Sequence, residues 1–416
     1  MPVTIDHHAL WADFTALCDF GGRLCGTEGE RAALSWAAQR GAAASGVAMR
    51  EIPVHYSGWQ GVSAGLTLPD GAIARCHPLL RSAPTPPGGL TVEVVDVGRG
   101  TPEEFAAHAA DLAGRAALVR HEHMFTAGTI HRGRKVEMAR AAGAVAFLIA
   151  GPLAASLVAG SSGRGEDDAG IPALGLSPEM AARLVRSEAG WPRVTMHIDT
   201  AEAPAMSRTL LFDMPGRGEG RVVLSAHLDG HALAESAMDN ASGVAAALAV
   251  TRALASEVTG WRRGVTLALY SVEEWALTGS AQHVAAMSGP QRAAIALNVN
   301  IDTVGVSGPL AALTSGFAGI EPFLLDVAAR EGTALRTVRP LMRNSDHANY
   351  ALAGIPAFRL VSGFDDMASP VRHVLTEADT RDKVSRMELR AAASLAAAIV
   401  ATACTADDDE VARWRG

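Results

Sequence analysis

The chain is poor in lysine and cysteine, and each shortage excludes a class of protein. Only Lys135 and Lys383 are lysines among 36 basic residues, and no dense basic tract occurs along the 416 residues. A nucleic-acid-binding protein is therefore not expected, because phosphate recognition relies on clustered positive charge. The four cysteines form no CxxC pair, which excludes a zinc ribbon or a thioredoxin-type site and argues against a disulfide framework.

Targeting and membrane-spanning signals are also lacking. The first 14 residues contain neither a basic n-region nor an apolar h-region, so we expect a cytoplasmic protein. The uncharged run 141–163 is long enough to span a bilayer, but Gly151 and Pro152 interrupt it and favour a buried strand followed by a loop. The alanine-rich segment 389–404 is expected to pack inside the protein, and no membrane partner is expected.

Three patterns follow one another along the chain. Residues 1–53 predict helices, because apolar residues recur at helical spacing before glycine-rich stops. Residues 54–203 contain short strand-like runs separated by proline and glycine. In residues 204–416, strands alternate with helices, which is typical of an α/β sheet covered by helices on both faces.

Acidic and imidazole side chains follow three predicted strands of the last block, 221–226, 265–272 and 296–301. Binding sites in open α/β sheets form at the carboxyl ends of strands, so we expect these side chains to meet at one edge. Asp239 at the start of a predicted helix and His373 in a loop near the C-terminus are expected to join them. The set consists of His227, Asp229, Asp239, Glu273, Glu274, Asp302 and His373.

Five carboxylates and two imidazoles at one edge would be costly without cations, because the carboxylates repel one another. Mixed histidine and carboxylate ligands suit zinc and leave positions open for water. Two metal ions that share a bridging carboxylate serve hydrolysis well. The residues therefore predict a hydrolytic metal site.

The chain resembles the co-catalytic dizinc exopeptidases, which include the bacterial zinc aminopeptidases and plasma glutamate carboxypeptidase. Five motifs occur in the family's order: HLDGHALAESAMDNASGVAA, SVEEWALTGS, NVNIDTVG, NSDHANYALAGIPAF and RHVLTEADTRDKV. Residues 54–203 look like an inserted β-rich protease-associated domain. The resemblance implies the zinc exopeptidase fold, a mixed twisted α/β sheet sandwiched by helices, with its peptidase domain split into residues 1–53 and 204–416.

The resemblance also implies a ligand set for two Zn²⁺ ions, with Co²⁺ or Mn²⁺ as alternatives. His227 and Asp302 would bind one ion. Glu274 and His373 would bind the other, and Asp239 would bridge the two.

The other residues of the motifs are expected to act around these ligands. Glu273 would be the general base that passes a proton from metal-bound water to the leaving amine. Asp229 would orient the imidazole of the ligand histidine before it. His231, Asp346 and His347 are candidates for substrate binding.

The chain departs from the family's pattern in two places. The final family motif is a histidine followed directly by Thr-Pro-Glu-Asp-Thr, whereas five residues separate His373 from Asp379, two more than in that pattern. His347 is the best substitute ligand if His373 does not bind metal. Asn240 stands where many relatives have a second aspartate, and we expect the Asp239–Asn240 peptide bond to be cis.

Two further patterns are set aside. GVSAG at 61–65 matches the nucleophile elbow of serine hydrolases, but its surroundings indicate a strand and a turn rather than a strand followed by a helix. His121, His123 and His131 occur close together, yet their spacing does not place all three on one helix face, which favours a solvated loop.

We therefore expect a zinc-dependent exopeptidase, an aminopeptidase or dipeptidase that hydrolyses peptide bonds at or near a free N-terminus through a metal-bridging hydroxide. The alternatives are a dizinc amidase or carboxypeptidase acting on N-acylated or unusual amino-acid conjugates, and a non-catalytic binding protein on the same scaffold. The expected partner is a peptide or amino-acid amide substrate, and a homodimer is compatible with the sequence.

Overall fold

The chain forms two compact units in a computed structural model that describes residues 4–165, 167–185 and 190–416. The first unit comprises the described residues up to Tyr56 together with Met206–Val374 and Asp379–Gly416. The second comprises the described residues of Ser57–Ala205 and the short segment Leu375–Ala378. The predicted block was 54–203. The main segment of this unit begins three residues later than that block begins, and it ends two residues later than that block ends.

The helices and strands alternate along most of the chain. The helices are α1 (His7–Asp19), α2 (Glu28–Ser45), α3 (Pro102–Ala107), α4 (Ala109–Leu112), α5 (Arg132–Ala141), α6 (Pro178–Val185), α7 (Ser242–Leu254), α8 (Thr278–Ala286), α9 (Gly289–Ala294), α10 (Glu321–Arg330), α11 (His347–Leu352), α12 (Arg386–Thr405) and α13 (Asp408–Arg413). The strands are β1 (Met49–Thr67), β2 (Ile73–Ala74), β3 (His77–Pro78), β4 (Leu90–Asp96), β5 (Ala116–Arg120), β6 (Ala146–Ala150), β7 (Ala173–Leu176), β8 (Arg193–Met214), β9 (Arg221–His227), β10 (Gly264–Tyr270), β11 (Ile295–Ile301), β12 (Leu310–Leu313), β13 (Leu335–Val338) and β14 (Ala357–Ser362).

A mixed sheet forms the centre of the first unit. Its strand order is β13-β12-β14-β11-β9-β10, and the C-terminal part of β8 pairs with β10. Strands β14, β11, β9 and β10 are parallel, whereas β12 and β8 run antiparallel to their neighbours β14 and β10. Every residue of β10 and β11 is buried, as expected for parallel strands covered on both faces. The predicted mixed α/β sheet is confirmed.

Helices α7 and α12 pack against β9 and β11, and they also pack against each other. Helix α12 is long and apolar enough to cross a membrane by length and composition alone, but 61% of its most apolar stretch is buried inside the protein. Side chains of α8 and α11 form a hydrophobic core cluster with Val223 and Tyr270 of the sheet. Helix α12 is therefore a core helix of this unit, as the alanine-rich pattern predicted.

The second unit contains a smaller sheet of its own. Strands β4, β5, β6 and β7 are parallel, with the N-terminal part of β8 and the short β3 antiparallel at the two edges. The uncharged run 141–163 forms the buried strand β6 and a following loop, as predicted. Residues 61–65 lie inside β1 and are followed by more strand, so the serine-hydrolase pattern has no strand-to-helix turn.

The burial of α12 leads to a first prediction. Leu395→Ala removes a fully buried side chain from α12 and leaves a cavity, so we expect the free energy of unfolding to fall by about 2–5 kcal/mol. Leu325→Ala makes the same change in α10 at a position that is 42% exposed, and we expect a loss of less than about 1 kcal/mol. Denaturant titration followed by circular dichroism measures both, and equal losses would contradict the assignment of α12 to the core.

Candidate metal centre

Three neighbouring parallel strands deliver the donors of the candidate metal centre. Strand β9 ends at His227, Asp302 follows β11 directly, and Glu273 lies three residues beyond the end of β10. Strand β9 lies between the other two in the sheet. The carboxyl ends of the three strands therefore lie at one edge, where the strand-end rule predicted the site.

Two groups of three potential metal donors meet at one carboxylate. His227, Asp239 and Asp302 form the first group, with donor atoms within 4.8 Å of one another. His231, Asp239 and Glu274 form the second group by the same measure. Asp239 is the member common to both, which is the position that a bridging carboxylate occupies in a two-metal site.

The donor separations fit zinc. A tetrahedral ion about 2.1 Å from each of its donors places those donors roughly 3.4 Å apart. Nε2 of His227 lies 3.1 Å from Oδ1 of Asp239 and 3.6 Å from Oδ1 of Asp302. Among the described residues, this Nε2 has no hydrogen-bond partner although it is buried. The first group therefore has the spacing, the donor types and the unused nitrogen that a zinc ion requires.

The tautomer of His227 also favours metal binding. Its Nδ1 lies 3.1 Å from the backbone carbonyl oxygen of Asp229, so Nδ1 carries the proton and donates it. Nε2 is then the nitrogen with a free lone pair. A backbone carbonyl that fixes a ligand histidine in this way is a common arrangement around metal sites.

The carboxylate of Asp229 has a different position from the expected one. Its Oδ1 is 3.8 Å from Nδ1 of His227, which is too long for a hydrogen bond. Instead, Oδ1 and Oδ2 accept the backbone N–H groups of Glu273 (3.2 Å) and Glu274 (3.1 Å). Cys25 also donates its thiol to Oδ2 at 3.2 Å. Asp229 thus orients His227 through its carbonyl and fixes the two glutamates through its carboxylate.

His373 belongs to none of the donor groups found among the described residues. It lies in a single 3₁₀ turn, Pro370–His373, and the charged groups that act on it are Lys383, Arg372 and Asp382. Burial lowers the pKa of His373, and the two neighbouring cations lower it further. The imidazole found beside Glu274 is that of His231, whose Nε2 lies 2.7 Å from Oε1 of Glu274. Metal binding by His373 stays a prediction.

Asp379 holds the loop that carries the bridging carboxylate. Its carboxylate accepts the backbone N–H groups of Met238 (2.7 Å) and Asp239 (3.3 Å). Two residues later, Arg381 donates its backbone N–H and its Nε–H to the carboxylate of Glu235. The end of the final motif therefore positions the 235–239 segment through hydrogen bonds.

Asn240 joins helix α7 to the sheet edge. Its Nδ2 donates to the carbonyl of Ile301, and its Oδ1 accepts the N–H groups of Gly243 and Thr303. A Cβ at Gly243 would lie 2.2 Å from this Oδ1, so only glycine allows the close approach. The peptide bond between Asp239 and Asn240 is cis, as expected.

A buried arginine fixes the loop between the two histidines. The guanidinium of Arg23 donates to the carbonyl oxygens of Leu228, Glu235 and Ser236. It also donates to two carbonyls of its own segment, at residues 17 and 21. A Cβ at Gly22 would lie only 1.7 Å from the carbonyl oxygen of His231, so the same segment packs directly on the loop. The sequence analysis assigned no role to Arg23, and nothing in its spacing marks it as a loop anchor.

Burial and mutual repulsion dominate the electrostatics of the acidic residues. Burial raises the pKa of Glu273 well above its usual range; the His227 imidazole opposes this, and nearby carboxylates raise it further. Burial raises the pKa of Asp346 to about 7, and the charges of Asp229 and Asp302 add to that rise. Glu273 and Asp346 thus lie close to other buried carboxylates, a setting in which bound cations are stabilising.

Asp346 and His347 lie fully buried at the start of α11. Burial lowers the pKa of His347 to about 3, and the nearby Arg359 guanidinium adds to the effect. Arg359 also lies 3.1 Å from Oδ1 of Asp302, with its Nη2 as the closest atom. Neither ring nitrogen of His347 has a hydrogen-bond partner among the described residues. His347 is not part of the donor groups, so it does not serve as the substitute ligand there.

The fold and the donor groups together define a metal-dependent hydrolase. Residues 210–400 match the model of Peptidase family M28, and residues 89–184 match that of the PA domain. The chain is thus similar to peptidase family M28 over residues 210–400 and to the PA domain over residues 89–184.

Three known proteins are similar to this chain. Aminopeptidase YwaD of Bacillus subtilis is 25% identical over 326 residues, which are 77% of this chain and 68% of that protein. The structure of BSAP, a zinc aminopeptidase from Bacillus subtilis, has a TM-score of 0.79 at 21% identity and covers 98% of this chain and 97% of its own. The structure of a Peptidase M28 precursor from Shewanella amazonensis has a TM-score of 0.80 at 18% identity and covers 96% of this chain and 93% of its own. The two structures establish the fold.

The contacts of Arg23 lead to a second prediction. Arg23→Met leaves five carbonyl oxygens without their donor, and each unsatisfied group costs about 1–3 kcal/mol, so we expect the free energy of unfolding to fall by about 3–5 kcal/mol. Faster amide hydrogen exchange in residues 228–236 should accompany the loss. Arg31→Met is the matched control, because Arg31 is exposed and donates to one carbonyl only. Equal stability of the two variants would refute the anchoring role.

Proposed function

We propose that the protein is a zinc-dependent aminopeptidase-type exopeptidase that uses two zinc ions bridged by Asp239. The observation that carries this proposal is the meeting of two three-donor groups at one carboxylate. Each group combines one imidazole with two carboxylates, a donor set that suits zinc and leaves a coordination position for water or substrate. The M28 domain and the zinc aminopeptidase relatives support the choice of metal.

When bound, zinc ions polarise the scissile carbonyl and lower the pKa of water to near neutrality. The protein's own contribution to proton transfer comes from Glu273. Its side chain lies beside His227 and Glu274 but belongs to neither of the two groups that share Asp239. Burial raises the pKa of Glu273, and a buried carboxylate beside the donor groups is suited to take a proton from water and return it. Asp229 fixes the backbone of both glutamates, so it supports this geometry without contacting the substrate.

Aminopeptidase activity is favoured over the amidase and carboxypeptidase alternatives by the relatives, which are named as aminopeptidases. The excess of buried carboxylate also suits a protonated α-amine, which a blocked N-terminus would lack. Asp346 and His347 stay candidates for contacts with the substrate. The cytoplasmic location, the homodimer and the absence of nucleic-acid and membrane partners stay predictions.

Metal removal is the most direct test of the proposal. We expect a chelator to abolish hydrolysis of aminoacyl p-nitroanilides, and zinc or cobalt to restore it, because the donor groups hold the only cations that the proposed chemistry uses. N-acetylated p-nitroanilides serve as the control and should be hydrolysed poorly at all metal loadings. Full activity in protein shown by elemental analysis to be metal-free would rule out the proposal, and a preference for acetylated substrates would favour the amidase alternative.

Glu273→Gln tests the assignment of the general base. The change keeps the size of the side chain but removes its ability to accept a proton, so we expect kcat to fall by about 10²–10⁴-fold with zinc content unchanged. Glu257→Gln makes the same substitution at an exposed position after α7 and should leave kcat unaltered. Steady-state kinetics with elemental analysis measures both effects. Wild-type kcat in a zinc-loaded Glu273→Gln protein would remove Glu273 from the proposed mechanism.

A further inference from the structure

The second donor group differs from the ligand set that the sequence motifs implied, because its imidazole comes from the loop after β9. We infer that His231, and not His373, is the histidine ligand of the second zinc ion. The inference rests on the proposed two-zinc function and adds the identity of one ligand to it. It also means that both histidine ligands lie on one short stretch of chain, four residues apart.

The geometry of His231 matches that of a ligand. Its Nε2 lies 2.7 Å from Oε1 of Glu274 and 3.9 Å from Oδ2 of Asp239, which brackets the roughly 3.4 Å expected between donors of a tetrahedral zinc ion. The His231 side chain is only 6% exposed. Nε2 of His231 and Oε1 of Glu274 are both buried and form a close ion pair. Together with the carboxylate of Asp239, these buried donor atoms lie within 4.8 Å of one another, as the ligands of a common cation would.

The backbone holds His231 in this orientation from both sides. Its N–H donates to Oγ of Ser236 at 2.8 Å, which closes the loop on itself. The guanidinium of Arg23 binds the carbonyls of Leu228 and Ser236, and Gly22 leaves room for the His231 carbonyl. These contacts therefore fix the backbone that carries His231, as expected for a residue that binds a metal ion.

The C-terminal segment offers no competing imidazole at this point. The family's pattern places its histidine four residues before the aspartate of the final motif, and that position is Leu375, which has no donor atom. The His373 side chain is surrounded by the charges of Lys383, Arg372 and Asp382 and belongs to no donor group among the described residues. The carboxylate of Asp379 is engaged by two backbone N–H groups. The segment thus supports the loop, and His231 supplies the nitrogen that the second ion lacks.

The test compares the zinc content of three proteins: wild type, His231→Asn and His373→Asn. Each is purified as the zinc-loaded full chain, dialysed against a weak chelator and measured by elemental analysis. We expect about two zinc ions per chain in the wild type and in His373→Asn, and about one in His231→Asn. This readout does not depend on activity, and circular dichroism of each chelated protein checks that the fold is intact.

The outcomes separate the inference from the proposed function. Two ions in a folded His231→Asn protein, or one ion in His373→Asn, would overturn the assignment of His231 while the two-zinc proposal stands. Fewer than two ions in the wild type would instead refute the two-zinc proposal itself. The results therefore distinguish the failure of one claim from the failure of the other.

A second variant gives a positive signal and does not depend on the loss of an ion. His231→Cys replaces the imidazole by a thiolate, and reconstitution of the chelated protein with Co²⁺ should produce a thiolate-to-cobalt charge-transfer band in the near ultraviolet. His373→Cys and the wild type, which has four cysteines of its own, serve as controls and should lack the band. Absence of the band in a folded His231→Cys protein, or its presence in His373→Cys, would also overturn the assignment.

Discussion

The structure depends on the position of one carboxylate, that of Asp239, between two imidazoles at the edge of a parallel sheet. Oδ1 of Asp239 lies 3.1 Å from His227, and Oδ2 lies 3.9 Å from His231. With Glu274 and Asp302 beside it, this arrangement places buried negative charges close together, which is unfavourable unless cations bind among them. Most of the surrounding polar contacts are best understood as fixing these donors at the distances that metal ions require.

The groups that fix the donors are themselves not donors. Arg23 binds loop carbonyls, Asp229 binds the N–H groups of the two glutamates, and Asp379 binds the N–H groups of the bridging segment. Asn240 connects the start of α7 to the end of β11. Each of these side chains satisfies backbone groups that would otherwise be buried without partners, so the loops become as well defined as the strands. A metal site needs this rigidity, because donors that are misplaced by an ångström bind poorly.

The main sheet was largely predictable, whereas its shortest members were not. Strands β9, β10, β11 and β14 and helices α7 and α12 lie within a few residues of their predicted positions, because their apolar runs are long and their boundaries carry clear signals. Strands β12 and β13 were missed, since four residues show no distinctive periodicity. The early part of β1 was also missed, because its 19 residues mix exposed and buried positions without strict alternation.

The sequence alone is sufficient to predict which edge of the sheet carries the site and most of the donor residues. His227 and Asp302 follow strands whose parallel order forces their ends together, and the motif around Asp239 marks the start of a buried helix. Only the tertiary structure decided which histidine lies beside Glu274, because sequence separation does not report distance. Eight residues after His231, the chain has folded back so that Asp239 faces the same space as His231, while His373 lies in a turn near the charges of other residues. The contacts of Arg23, Ser236 and Asp379 produce that fold-back, and they link residues up to about two hundred positions apart.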